Sequence, residues 1–124
     1  MISSIFFYLG LTCMTIHEMD AIRCKEWRMF PGLQLLSDKW GHILFVFAHI
    51  PLFFFMYWQL TYSENIEAFR IGFDAFMIIH LLLHLLFLKH KNNNFKDWIS
   101  WSIIVGAGVC GLVDLVLIST IVGV

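Results

Sequence analysis

Apolar residues fall along this chain in four long blocks, not in short alternating runs. The blocks cover residues 2–22, 40–62, 68–88 and 98–122. Each is close to or above the ~20 residues that a helix needs to cross about 30 Å of hydrocarbon. No stretch of that length alternates apolar and polar positions with a period of two, so the strands of a membrane barrel are not expected. In lipid every backbone N–H and C=O must be satisfied internally, which leaves helices. The pattern therefore predicts an all-α membrane protein, one domain over residues 1–124, built as a four-transmembrane-helix bundle.

The block edges carry interfacial and turn residues. Trp40, Tyr57, Trp58, Tyr62, Trp98 and Trp101 sit where aromatic belts belong. Pro31-Gly32 ends whatever helix continues past Ile22, and Asn92 to Asn94 form a turn between the third and fourth blocks. Pro51, inside the second block, removes one backbone donor and is expected to kink that helix. The first block lacks a basic leader and a small-residue cleavage site, so it is expected to be a retained span.

Composition agrees with lipid as the solvent. Hydrophobic residues make up 60% of the 124 and charged residues 14%, and mean hydropathy is +0.79. A water-soluble domain of this size leaves too much surface exposed to hide that much apolar area. A net charge of −1 gives no reason to expect a nucleic-acid partner. Cys13, Cys24 and Cys110 have no C-x-x-C spacing and form no thiol-redox motif.

Charge placement sets an expected orientation. Arg23, Lys25, Arg28 and Lys39 lie in the first loop, and Lys89, Lys91 and Lys96 in the third. The second loop carries Glu64 and Glu67, with Arg70 just inside the third block. Seven of the 8 basic residues thus fall on one side. The positive-inside rule makes that side cytoplasmic and both termini extracytoplasmic.

In this arrangement all six histidines fall on the cytoplasmic half: His17, His42, His49, His80, His84 and His90. His80 and His84 form H-x-x-x-H, one turn apart on one face. His42 and His49 are seven apart and share a stripe. His17 and Asp20 are neighbours on one face, while Glu18 points about 100° away from His17. Ionisable groups inside a span are costly and usually face the bundle interior for a purpose. Imidazoles with carboxylates are the ligand set of zinc or non-haem iron. The expected metal ligands are His17, His49, His80 and His84, with His42 as a substitute for His49. Glu18 and Asp20 are the expected catalytic carboxylates, as ligand, orienting group or general base. Three other readings remain open. The histidines could hydrogen-bond between helices. His49 with His80 or His84 could hold haem axially in an electron-transfer protein. Glu18 and Asp20 could simply pair with Arg23, Lys25 or Arg28.

Two further features stand apart from the histidines. Arg70 is level with Asp74 and Asp114 near the outer surface, so an Arg70–Asp114 or Arg70–Asp74 pair is expected. In the fourth block Gly106 with Cys110, and Ala107 with Gly111, are small-xxx-small pairs that allow close helix approach, within the chain or in a homo-oligomer.

The segment HEMDAIRCKEWRMF resembles a group of small bacterial integral membrane proteins of unknown function that share H-E-x-D-A followed by E-W. The matching residues here are His17, Glu18, Asp20, Ala21, Glu26 and Trp27. The resemblance implies a four-helix membrane protein, with a bacterial plasma membrane as its expected location, and no particular reaction. His80 and His84 are also similar in spacing to the H-x-x-x-H of membrane fatty acid hydroxylases and desaturases. Those proteins add H-x-x-H-H, which is absent here. Zinc hydrolases of the alkaline ceramidase type use H-x-x-x-H too, but on a larger bundle. The expected function is a metal-dependent membrane enzyme acting on a lipid or lipid-like substrate near the cytoplasmic leaflet. A haem protein, or a non-catalytic membrane subunit or ligand-binding protein, is the alternative.

Overall fold

Asn65 and Asp97 mark where two of the helices begin. Asn65 Oδ1 accepts from the Ala68 amide at 3.1 Å, and Asp97 Oδ1 accepts from the Ser100 amide at 2.8 Å. Each satisfies one of the amides a helix leaves open at its N-terminus. The computed structural model describes residues 2–122, with side chains for residues 5–121. Within them the chain forms α1 (Ile2–Cys24), α2 (Asp38–Tyr62), α3 (Ile66–Leu86) and α4 (Trp98–Val122). Short 3-10 turns occupy Glu26–Arg28 and Leu33–Leu35, and there is no strand among the described residues.

These bounds follow the apolar blocks with small shifts. α3 starts and ends two residues before the expected 68–88, because the Asn65 cap sets its first turn. At its other end the Phe87 amide bonds to Leu83 O and the Leu88 amide to Leu85 O, which tightens the last turn. α2 runs through Pro51 as one helix. Three helices, α2, α3 and α4, are long and apolar enough to cross a membrane. α1 is 23 residues long but is not among these three. Its last third carries His17, Glu18, Asp20 and Arg23.

α4 is the hub of the bundle. α1 and α3 both pack along it, while they touch each other at few points and α2 stands largely apart. Small residues on α4 permit this. A Cβ at Gly111 would meet Asp74 O at 2.8 Å, and one at Gly108 would meet Leu81 Cδ2 at 2.5 Å. Gly106 faces Cys13 across the α1 contact. The small-residue faces of α4 are therefore occupied by α1 and α3 of the same chain. Met14, Met77 and Ala107 form the core at this level. Below it, Ala21, Cys24, Trp27, Phe45, Phe95 and Ile104 form a second core around the loops. At the opposite end Arg70 Nη2 donates to both oxygens of Asp114, at 3.1 and 2.9 Å, one of the two expected pairs. Asp74 is buried beside them with neither oxygen hydrogen-bonded.

Large apolar side chains cover the outside. Phe47, Phe54, Leu86 and Trp98 are all exposed. A continuous apolar exterior of this kind marks a surface that meets something other than water.

The three asparagines do more than turn the chain. Asn92 Nδ2 donates to Arg28 O at 2.9 Å, and Asn94 Nδ2 donates to Cys24 O at 3.1 Å. Asn93 is buried; its amide donates to Phe87 O and Leu88 O, and its Oδ1 accepts from the Phe95 amide. The loop after α3 is thereby tied to the loop after α1. Arg28 and Lys25 both bond to Asp38, which ties the first loop to the start of α2.

Candidate metal centre

α1 and α3 bring three imidazoles together at the end of the bundle where these loops meet. His80 and His84 lie one turn apart, with ring centroids 4.6 Å apart. The His17 ring approaches them at 4.7 and 4.9 Å. Phe95, positioned by Asn93, packs against His17 at 5.3 Å and His84 at 4.7 Å.

A carboxylate arrives from the first loop. Lys25 adopts a left-handed backbone, φ 52 and ψ 52, which reverses the chain as it leaves α1. The 3-10 turn then carries Glu26 back under the histidines. Its Oε1 lies 3.4 Å from His84 Nε2 and 4.0 Å from His80 Nε2, and its Oε2 lies 3.8 Å from His17 Nε2. One ligand atom from each of His17, Glu26, His80 and His84 lies within 4.8 Å of the others. Two tetrahedral ligands on zinc at about 2.0–2.1 Å stand roughly 3.4 Å apart. The spacings here are near or beyond the limit of a hydrogen bond and close to those of groups sharing one ion.

Burial supports the same reading. His17 is fully buried, with neither ring nitrogen hydrogen-bonded. An imidazole so placed leaves a donor and an acceptor unsatisfied, which is costly in an apolar interior. An ion at Nε2 would satisfy one of them. His84 and Glu26 are also buried and His80 is half-buried. Burial alone would raise the Glu26 pKa, but the facing imidazoles, His84 foremost, outweigh it and hold the carboxyl below its ordinary value. Glu26 is thus favoured in its ionised form, the one that binds cations. A cavity of about 90 Å³ opens on Glu26, His80 and His84 and is walled by Met29, Phe30, Leu83 and Phe87.

Of the six residues singled out from the sequence, three are gathered here: His17, His80 and His84. His49 is not. Its Nε2 lies 2.6 Å from Glu18 Oε2, and its Nδ1 lies 2.6 Å from Phe45 O. Glu18 therefore faces α2, away from His17. Asp20 faces α4, where Arg23 Nε donates to it at 2.7 Å and Ser100 Oγ also donates. That matches the ion-pairing alternative for this carboxylate. Arg23 continues to Asp97 at 2.8 Å. His42 is exposed beside Trp27, at 5.5 Å between rings, and His90 belongs to the loop. Glu26 was not picked out as a ligand from the sequence. The signal was its place in the E-W pair, read there only as part of a resemblance.

Fold and site together define a class: an all-helical protein with three helices apolar enough to cross a membrane and a buried cluster of histidines and glutamate that could hold a metal ion. The chain belongs to a family of unknown function (DUF6713), whose model matches residues 3–121. No curated protein and no solved structure matches it.

Proposed function

We propose that this is a metal-dependent integral membrane enzyme acting on a lipid or lipid-like substrate near the cytoplasmic leaflet. The observation that carries this reading is the convergence of four buried or half-buried ligand groups from α1, the first loop and α3, with an apolar cavity against them. His17, His80 and His84 would hold the ion, zinc or iron, with Glu26 as a further ligand or as a base beside it. An ion held there supplies Lewis-acid polarisation of a substrate oxygen. The chain itself supplies a site shielded from water by Phe95, Met29 and Phe87, and an entrance that admits an apolar group.

In this reading α1 is a fourth span, with its polar end in the interface. The loops rich in lysine and arginine face the cytoplasm and both termini face out. A maleimide that cannot cross membranes should label a cysteine placed at Ser63 in intact cells and spare one placed at Ser37. The reverse pattern would invert the orientation. The haem alternative, His49 with His80 or His84, draws no support from His49, whose ring nitrogens lie 2.6 Å from Glu18 Oε2 and from Phe45 O.

The central test is elemental analysis of protein purified without chelator, beside His84→Ala. Stoichiometric zinc or iron, lost in the variant, is expected. Metal-free protein with unchanged stability in chelator would end the metal reading. Comparing the lipids of cells expressing wild type and His84→Ala tests the enzymatic part; identical lipid profiles would reduce the protein to a metal-binding membrane subunit.

A further inference from the structure

A second polar feature sits away from the metal cluster, on the side of α1 that faces α2. These two helices make little direct contact, and a cavity of about 320 Å³ lies between them. Met19 and Ile22 of α1 and Phe45, Ile50 and Phe53 of α2 line it. A smaller cavity of about 40 Å³ continues it toward Leu11 and Met56, and both share Thr15, Glu18 and Phe53. From Leu11 to Ile22 the groove runs roughly 16 Å along α1. Met19 and Ile50 on its rim are exposed, so it opens sideways.

The polar groups in the groove are Thr15, Glu18 and His49. Thr15 Oγ1 already donates to Leu11 O at 2.9 Å. Phe45 O can only accept, so His49 Nδ1 carries the hydrogen of that 2.6 Å contact. The equally short contact from Nε2 to Glu18 Oε2 requires one more proton between the two side chains. Wherever that proton rests, the pair has no net charge. Among the described residues nothing donates to Glu18 Oε1.

We propose that the α1–α2 groove binds a single-chain, uncharged lipid bearing a hydroxyl group, whose O–H donates to Glu18 Oε1. Three features select that occupant. The apolar walls and the length of the groove suit one alkyl chain. The neutral pair offers no counter-charge, so a carboxylate or ammonium headgroup would be desolvated without compensation. The open oxygen accepts a hydrogen bond, which a hydroxyl supplies and an alkane does not. The site is separate from the metal cluster and does not depend on an ion there.

The test uses the full protein in lipid nanodiscs, with a long-chain alcohol carrying a photoreactive diazirine and the matching carboxylic acid as probes. The alcohol should label Met19, Ile50 and Phe53 in preference to the acid. Glu18→Leu should weaken labelling about fivefold, the effect of one lost hydrogen bond. Ile50→Trp, at an exposed position on the rim, should block the groove by bulk. Size-exclusion elution and helical circular dichroism, measured in parallel, should match wild type in both variants and so show that the bundle is intact. Equal labelling by the acid, labels spread over the outside of α4, or labelling unchanged in Ile50→Trp would overturn the proposal.

Discussion

Replacing His17 by leucine is expected to change stability in opposite directions with and without metal. In the metal-free protein the fully buried imidazole has two nitrogens without partners. Each unsatisfied buried group costs about 1–3 kcal/mol, and leucine removes both at similar volume. Against this stand the lost ring contacts with Phe95, His80 and His84, about 0.5–1.5 kcal/mol each. In chelator, His17→Leu should therefore be more stable than wild type by about 1 kcal/mol. With zinc at a hundred times its dissociation constant, wild type gains about 2.7 kcal/mol by mass action. The variant, short of one ligand, gains little, and the order inverts. Thermal unfolding in detergent micelles, with chelator and with added zinc or iron, reads both signs. If His17→Leu is destabilising by the same amount in both conditions, His17 is a packing residue and the cluster holds no ion.

Three further outcomes are expected. Glu26→Gln should lower metal affinity while Glu18→Gln leaves it unchanged, since only Glu26 faces the imidazoles; metal titration of the two variants separates them. Arg70→Leu leaves the fully buried Asp114 without the guanidinium that bonds both its oxygens and should cost about 3–5 kcal/mol, much of it recovered in the Arg70→Leu/Asp114→Leu double variant, as seen by thermal unfolding. Gly41→Ala puts a Cβ within 2.3 Å of the Trp27 indole and should cost about 1–3 kcal/mol, with Trp27 fluorescence shifting as the ring leaves its site.

The helices were legible because each apolar block is long, and only their ends moved, where Asn65 and the turn after Leu86 decided the register. The H-x-x-x-H face was equally legible, since a spacing of four places both rings on one side of any helix. Glu26 was not. It reaches the histidines through a left-handed Lys25, and a lysine gives no sign of that conformation as glycine or asparagine would. For His49 the sequence shows depth but not direction: α2 stands apart from the bundle, so a histidine at the right level meets Glu18 and not the cluster. Glu18, next to His17 in the chain, faces away from it as the helix period requires, whereas Asp20, expected beside His17, is drawn instead to Arg23 and to Ser100 on α4. Asn92 to Asn94 read as a turn, and their bonds to Arg28 O and Cys24 O depend on a loop far away in sequence.

The histidines belong to α1 and α3, yet those helices make few contacts with each other and both rest on α4. The spacing of the cluster is therefore set by a helix that contributes no ligand. Gly108 is the point where this can be tested. A Cβ there would meet Leu81 Cδ2 at 2.5 Å and Leu81 Cβ at 2.9 Å, and Leu81 follows His80 in the chain. The near approach of Leu81 Cβ means that rotating the side chain is not enough, so α3 must move off α4 by a few tenths of an ångström. Metal sites tolerate errors of only about 0.2 Å in ligand distance. Gly108→Ala should thus weaken metal binding about tenfold, as changes outside the ligand shell commonly do, although no ligand is altered. Gly72→Ala on α3, where an added Cβ meets nothing within 4 Å, should leave binding unchanged and serves as the control for replacing a helical glycine as such. If Gly108→Ala binds metal as tightly as wild type, α4 does not set the ligand geometry, and the direct contacts of Glu26 and Phe95 must hold the rings in place.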